Sequence, residues 1–566
     1  MTILTINRKE FEKKVGKLTK ELENRISMFG TPVEEVSDSE LSVEVFPNRP
    51  DLLSAENFAR AIGQFVGKRK VGGFKVNKPE KDYFMMVDKI VKGVRPFTAC
   101  AVVKGLKFDD AKIKRVIDMQ EKLHGSYGRN RKKLALGIYP LEEITFPLKY
   151  TARKPDEIKF LALEAKSEMT GRQILSRHPT GREYGHLLKG CELFPIYQDS
   201  AGEILSMPPI INSHKTGKIT EKTKEIFIEC SGFNKEYLRK TINIVVSSFA
   251  EMGGKVYAMD VKDSKDGNFV SPDMSPEEMS FKIEDIEKTL GIKLSEKDVR
   301  NYLARMGIAT RESRRGGRRK VAGERWMIAL VPAYRADILH WVDLAEEVAI
   351  AYGYDKFEPE IPAISTIAEE NPVDKMKRVV DNVLAGLGFL ECSSFHLTTK
   401  KDVKKMHYNF NDFVEVENSK TGRDVLRIDL LTGLLQIVSE NSDASYPQRT
   451  FEMGRVFRKS SEMTDDRKQI TETGVVEEER LAVALADESV SFTDMKQVLD
   501  YFFKMLGVEY SIEAVDDSNY IIGRCGRIIV NRKDIGRIGE IAPRVLKNWK
   551  IKMPVVACEI GIEFLG

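Results

Sequence analysis

The sequence predicts a multidomain α+β protein of about four units. Three observations predict it. The chain has 566 residues, and a single hydrophobic core stops growing well short of that length. Strand-like alternation and helix-like periodicity succeed one another along the whole chain. Turn-rich stretches near 72–95, 262–276 and 356–364 interrupt them. Units are therefore expected at 1–90, 91–265, 270–358 and 366–566. No internal repeat of roughly 20–50 residues is visible, which excludes solenoid architectures.

The first unit opens on a strand, Thr2–Ile6, followed by a helix pattern over 8–23 in which Phe11, Val15 and Leu18 share one face. LSVEVF alternates as a strand. Pro50 and Asp51 then suit a turn and helix start before an apolar stripe of Leu53, Phe58, Ala61, Ile62 and Phe65. The second unit reads as mixed α/β. Its strand candidates are TACAVVKGL, LALGIYPL, ILSMPPIIN, EIFIECSG and GGKVYAMDV, with helices over 111–124 and 235–251. The third has helix patterns over 283–290 and 296–306, a basic turn RESRRGGRRK and a strand WMIALVP. Its last helix lies in YRADILHWVDLAEEVAIAYGY and stops at Gly353. That helix–helix–hairpin order resembles a winged-helix-like, DNA-binding type of module. The fourth unit alternates helices (375–387, 492–505) with strands TFEMGRVF, RLAVALA, RIIV, RIGEI and PVVACEI; an antiparallel sheet covered by helices fits best.

Composition narrows the function. Lys plus Arg number 90 against 86 Asp plus Glu, a net charge of +4. That near-balance argues against a wholly basic nucleic-acid binder while allowing local basic patches. The six cysteines stand far apart with no CxxC spacing, so zinc, iron–sulfur and disulfide scaffolds are poor readings and six reduced thiols are expected. No apolar run approaches the roughly 18–20 residues of a membrane helix, and the N-terminus lacks a signal-peptide core. A soluble, cytoplasmic protein is expected. GxxxxGK[ST], GxSxG, HExxH and GxGxxG are all missing, which removes most hydrolase and kinase readings.

Four places carry candidate chemistry. Asp343, Glu346 and Glu347 stand at i, i+3 and i+4, hence on one side of a helix, with Asp337 just before it. Converging carboxylates need a neutralising cation, and hard oxygen donors suit magnesium or calcium. Equally, acids gather in first helical turns because the helix dipole favours them. The turn with Arg311, Arg314, Arg315, Arg318, Arg319 and Lys320 either grips phosphates or is a solvated loop tip. Arg129, Arg131, Lys132 and Lys133 form a second basic cluster, suited to backbone phosphates. In LSMPPIINSHKTGKIT, the Pro208-Pro209 pair stiffens the chain between Ser206 and Asn212. Those two residues, with Glu229 on a later strand, can line one pocket, or the segment is merely a stiff strand–turn.

PNRPDLLSAENFARAIGQFVG, MPPIINSHKTGKIT, VPAYRADILHWVDLAEEVAIAYGYDKFEPEIP, FEMGRVF and IGEIAPRVLKNWKIKMPVVACEI follow one another along the chain. Together they resemble the phenylalanyl-tRNA synthetase β-subunit family, of the archaeal and eukaryotic type, and the resemblance covers essentially the whole chain. It implies an (αβ)₂ heterotetramer whose α subunit forms Phe-tRNA(Phe) from phenylalanine, ATP and tRNA(Phe). It also implies magnesium, shared with the α subunit, at Asp337, Asp343, Glu346 and Glu347. The fourth unit would be a class II synthetase-like core without its chemistry. FEMGRVF looks like that core's second motif, but Glu452 and Arg455 flank Gly454 in another order. The second unit resembles the family's editing domain, implying hydrolysis of mischarged Tyr-tRNA(Phe). The physical need is plain: an apolar pocket rejects an added hydroxyl only about a hundredfold. By this resemblance Glu229 accepts the tyrosyl hydroxyl and Ser206 and Asn212 form the pocket wall. Family members often have aspartate where this chain has the longer Glu229. No Ser–His–Asp or Cys–His pair stands out, so a positioned water is expected as nucleophile. Two rivals are a non-catalytic RNA- or DNA-binding protein and a free-standing aminoacyl-tRNA deacylase.

Overall fold

The computed structural model describes residues 2–80, 82–312, 325–361, 363, 368–406, 413–417, 419–459 and 473–563. The chain divides into two compact units, Met1–Ile361 and Pro362–Gly566.

In the first unit, strand Thr2–Asn7 pairs antiparallel with Glu40–Val45, which also pairs with Val33–Val36. The expected helix over 8–23 is two helices, Arg8–Val15 and Lys20–Met28. Gly16, at φ 113°, ends the first, and the Thr19 side chain caps the second. The apolar spacing crosses this break undisturbed because Phe11, Val15 and Leu18 are all buried in one core. Helix Ala55–Phe65, capped by Ser54, is buried on its polar side too. Two of its polar side chains find partners there: Asn57 Nδ2 donates to the Ile244 carbonyl at 3.2 Å, and Arg60 Nη1 donates to Asn57 Oδ1 at 2.9 Å.

Residues 72–95 contribute strands to two sheets. Val76–Asn77 pairs parallel with Lys255–Tyr257 in a five-stranded sheet that continues through Phe97–Lys104, Ile226–Gly232 and Leu134–Pro140. Phe84–Val87 lies inside a seven-stranded sheet, between Leu148–Arg153 and Met259–Asp263. The two sheets pack face to face through Cys100, Val102, Tyr139 and Phe227 on one side and Met85, Tyr150, Tyr197 and Leu205 on the other. The outer face of the five-stranded sheet, including Ile226, Ile228 and Cys230, packs on helices Asp110–Gly125 and Lys235–Glu251. The result is a helix–sheet–sheet stack. Its strand Ile226–Gly232, next to the edge of the five-stranded sheet, is buried on both faces, so it reads as a mostly apolar run interrupted by one acid.

Helices Ile283–Leu290 and Glu296–Arg305 then pack on a three-stranded sheet in the order Ala309–Glu312, Trp326–Val331, Glu277–Lys282. The last helix of this region begins only at Trp341, because 334–340 form a turn that His340 and Asp343 close as a reciprocal cap. Arg314, Arg315, Arg318, Arg319 and Lys320 of the basic turn lie outside the described residues. Arg311 lies in a strand and pairs with Glu278 at 2.7 Å.

The second unit is a seven-stranded sheet in the order Leu390–Glu391, Gln448–Lys459, Val475–Ala486, Val555–Gly561, Lys533–Ile541, Tyr520–Val530, Ser511–Ala514. All its pairs are antiparallel except the first. Helices cover both faces, and one strand shows why. Ala482, Ala484 and Ala486 meet helices Leu431–Glu440 and Pro543–Trp549, while Leu481, Val483 and Leu485 meet Pro372–Gly386 and Phe492–Leu506. The six cysteines are free thiols. Among the described residues no helix is long and apolar enough to cross a membrane.

Candidate functional site: a carboxylate in a two-sheet cleft

Cross-strand register places Glu229 opposite Cys100 on one side and Gly137 on the other. Strand alternation turns Phe227, Glu229 and Ser231 toward the second sheet. Glu229 is 2% exposed. The Tyr139 hydroxyl lies 2.9 Å from Glu229 Oε1, 2.9 Å from Ser206 Oγ and 3.3 Å from Asn212 Oδ1. The three residues expected from the sequence therefore gather around a fourth. Ser206 and Asn212 arrive together because they are direct partners in the strand pair Ile204–Met207 and Ile211–Asn212. Gly137 makes the arrangement possible: a Cβ there would stand 2.2 Å from Tyr139 Oη and 2.5 Å from Glu229 Oε1.

This cluster borders a cleft of about 470 Å³, lined by Ser206, Asn212 and Glu229, by Gln120 and His124 of helix Asp110–Gly125, and by the Pro208–Ile211 segment. Glu229 Oε2 is buried and makes no hydrogen bond. Burial raises the Glu229 carboxyl to about 7, against the lowering effects of the Tyr139 and Tyr197 hydroxyls and the Arg95 guanidinium. Burial, with the Glu229 charge, holds the Tyr139 phenol far above its ordinary range, so it remains a proton donor. The nearby histidines are not paired with Ser206. His124 Nε2 accepts from the Leu136 amide at 2.8 Å, and His178 Nε2 lies 3.0 Å from the Leu163 carbonyl.

The Arg129–Lys133 cluster divides in two. Residues 129–131 run through three consecutive left-handed conformations, φ 49°, 52° and 63°. Arg131 turns inward: Nη1 donates to the Ile210 carbonyl at 2.9 Å, Nη2 meets Glu121 at 3.1 Å, and the guanidinium sits 4.2 Å over the Tyr184 ring. It braces the cleft wall and is not presented to phosphates. Arg129 and Lys132 are exposed.

The four acids of the later helix do not form a donor shell; among the described residues no group of three or more His, Cys, Asp or Glu is placed to hold a metal. The cation they require is internal. Arg335, 1% exposed, makes a two-point ion pair with Asp337 (2.8 and 2.7 Å) and another with Glu347 (3.1 and 2.8 Å). Although burial opposes it, Arg335 holds the Asp337 carboxyl below its usual range. Asp343 Oδ2 accepts from the Leu339 and His340 amides, each at 2.7 Å. Glu346 is exposed, and burial of its stem with the neighbouring Glu347, Asp343 and Asp337 charges raises its carboxyl. The residues therefore do not fit a magnesium site built by this chain alone.

Comparison with known proteins shows the family of the chain. The phenylalanyl tRNA synthetase beta chain CLM domain family matches residues 358–562, and the tRNA synthetase B5 domain family matches 279–354. The phenylalanine–tRNA ligase beta subunit of Pyrococcus horikoshii is 39% identical over 518 residues, 91% of this chain and 89% of that protein. The chain belongs to the phenylalanine–tRNA ligase β-subunit family. Its namesake from Methanococcoides burtonii is 32% identical over 99% of this chain and 100% of that protein. A solved N-terminal fragment of the Pyrococcus horikoshii phenylalanyl-tRNA synthetase beta-subunit covers 62% of this chain and 99% of that fragment, at 32% identity and a TM-score of 0.57.

Within this β-subunit family member, FEMGRVF is a packing strand. Glu452 is buried and accepts from Arg427 Nη1 at 2.6 Å and from the Ser394 amide at 3.0 Å. A Cβ at Gly454 would come 2.4 Å from Arg427 Nη2, so a larger residue there would require that guanidinium to shift. Arg455 points outward to Glu477 and Glu479. The sequence reading missed Tyr139, Gly137 and Arg335. Arg335 was signalled, since it stands inside the acidic motif itself. Tyr139 and Gly137 share a strand face, but only the pairing register brings them against Glu229.

Proposed function

We propose that this chain is the editing and scaffold subunit of a cytoplasmic phenylalanine–tRNA ligase. With an α subunit, in an (αβ)₂ assembly, it forms Phe-tRNA(Phe) from ATP, phenylalanine and tRNA(Phe). Its own cleft hydrolyses mischarged Tyr-tRNA(Phe). The observation that carries this reading is Glu229 Oε2, a buried acceptor without a partner on the wall of the cleft. A tyrosyl hydroxyl donating to Oε2 satisfies it, whereas a phenylalanyl ring leaves it unpaired, and a site built around a hydrogen bond discriminates far better than an apolar slot. Water attacks the ester carbonyl, the bond to the ribose oxygen breaks, and tyrosine and free tRNA leave. Glu229 selects the substrate; the water is the nucleophile, since Ser206 hydrogen-bonds Tyr139 and pairs with none of the cleft histidines His124, His178 and His214.

The remaining parts fit this assignment. Exposed Arg129 and Lys132 near the cleft suit tRNA phosphates. The helix–helix–hairpin region at 279–354 keeps its winged-helix-like reading, and the C-terminal sheet is read as a class II-like core in which Glu452 is buried and Arg455 is paired outward with Glu477 and Glu479. Magnesium at the acidic helix would need the partner's donors, because Arg335 occupies Asp337 and Glu347 and leaves Asp343 and Glu346. Calorimetric titration of the assembled complex with magnesium tests that, and unchanged binding in Asp343→Ala excludes it. For the cleft, Glu229→Ala in the assembled enzyme should lose Tyr-tRNA(Phe) hydrolysis and keep Phe charging. Hydrolysis at the wild-type rate would remove Glu229 from the site.

A further inference from the structure

We propose that Tyr139 is the positioning residue of this cleft: its phenol holds Glu229 Oε1 so that Oε2 is the acceptor offered to a substrate. The proposal rests on the reading of the cleft as a tyrosyl-recognition site. Tyr139 comes from the edge strand Leu134–Pro140 and pairs directly with Phe227, two residues from Glu229. Its ring crosses the space left by Gly137 and stacks on Phe227 at 5.7 Å between centroids. The ring has nowhere else to go, so the hydroxyl is delivered to a fixed point.

That point satisfies one half of a carboxylate. A phenol has a single proton, and the strongest acceptor within reach is the carboxylate oxygen Oε1 at 2.9 Å. The Ser206 hydroxyl oxygen lies 2.9 Å from the same phenol oxygen and is a weaker, neutral acceptor. Asn212 Oδ1 closes the ring of polar atoms at 3.3 Å. Oε2, on the same buried carboxyl, has no partner. The carboxyl is thus faced by the Arg95 guanidinium and two resident phenols, Tyr139 on Oε1 and Tyr197, whose hydroxyl lies 2.6 Å from Thr98 Oγ1, and Oε2 is left for the phenol the substrate brings. Without the Tyr139 hydroxyl, the carboxyl is free to turn toward Ser206 and Asn212, and it loses a donor that favours its ionised form.

The test is steady-state deacylation of pre-formed Tyr-tRNA(Phe) by the α–β complex between about pH 6 and about pH 8.5, with the uncatalysed rate subtracted. Tyr139→Phe should lower kcat/KM at neutral pH by about tenfold, the worth of one hydrogen bond to a charged group. It should also move the midpoint of the rising pH limb upward, so that part of the loss is recovered at the alkaline end. Phe charging should not change. A fluorinated tyrosine at position 139, a stronger donor, should move the midpoint downward and keeps the test valid if the Phe variant folds poorly. Superimposable pH profiles for all three proteins would overturn the proposal. Glu229→Gln separates the two readings. If it deacylates Tyr-tRNA(Phe) at the wild-type rate, the assignment of the cleft fails. If it is inactive while Tyr139→Phe matches wild type, only the role of Tyr139 fails.

Discussion

Glu229 is held in the folded chain at a cost in stability. Its carboxyl titrates near 7, well above the ordinary value of 4.5, because burial disfavours the charge. The folded state therefore binds this proton more tightly than the unfolded chain does. The corresponding stability is fully present below the unfolded value and is lost as pH rises through about 7, a swing of about 3 kcal/mol. Glu229→Gln removes the titration, so the variant should gain on wild type by about that much between about pH 5 and about pH 8, read from denaturant melts. Gly137 is the other decisive residue. Gly137→Ala forces a methyl into Tyr139 and Glu229, and should cost about 1–3 kcal/mol in melting experiments together with Tyr-tRNA(Phe) hydrolysis. Glu229, Ser206 and Asn212 were legible as polar residues in apolar strands. Tyr139 was not, because a tyrosine in a strand is ordinary and its significance is set by a neighbour 90 positions away.

Helices and strands were legible wherever apolar period and caps agreed. Helix Lys235–Glu251, with Asn234 as its cap, is such a case, and so is Ile283–Leu290, ended by the left-handed Gly291. The expectation failed over 8–23, where the spacing of buried residues bridged a chain break at Gly16. A Cβ at Gly16 would touch nothing, so Gly16→Ala should cost only the backbone strain of a positive φ, about 1–2 kcal/mol in a thermal melt. The acidic helix start teaches a different lesson. Its carboxylates called for a cation, and the chain itself supplies one. Arg335→Met should destabilise by about 3–5 kcal/mol, since buried Glu347 would lose its counter-ion and Asp337 would keep only the more distant Arg49, at 3.9 Å. A paired Asp337 contributes stability above its unfolded value that is lost as pH falls through the lowered one, so the variant should also flatten the acid limb of the stability profile.

At the scale of the whole molecule, two compact units of different architecture serve one proposed assembly. Units with separate cores should unfold in more than one calorimetric step, and a single two-state transition would show that they melt as one. Co-expression with an α subunit should yield a complex that charges tRNA(Phe) with phenylalanine, while this chain alone charges none; charging by the isolated chain would contradict a catalytically silent C-terminal sheet.

The sequence by itself determined a multi-unit α+β chain and the order of its elements, because periodicity, caps and turn residues act over a few neighbours. Ordered motifs along the whole length were enough to indicate the family. Tertiary structure alone decided which polar residues meet. It set Glu229 beside Tyr139 through strand register, turned Arg131 into a brace and Arg335 into the counter-ion of the acids, and joined residues 72–95 to two sheets. Each outcome depends on contacts between residues distant in the chain. Desolvation makes those contacts decisive, since a buried charge or donor must find its partner in the fold and not in water.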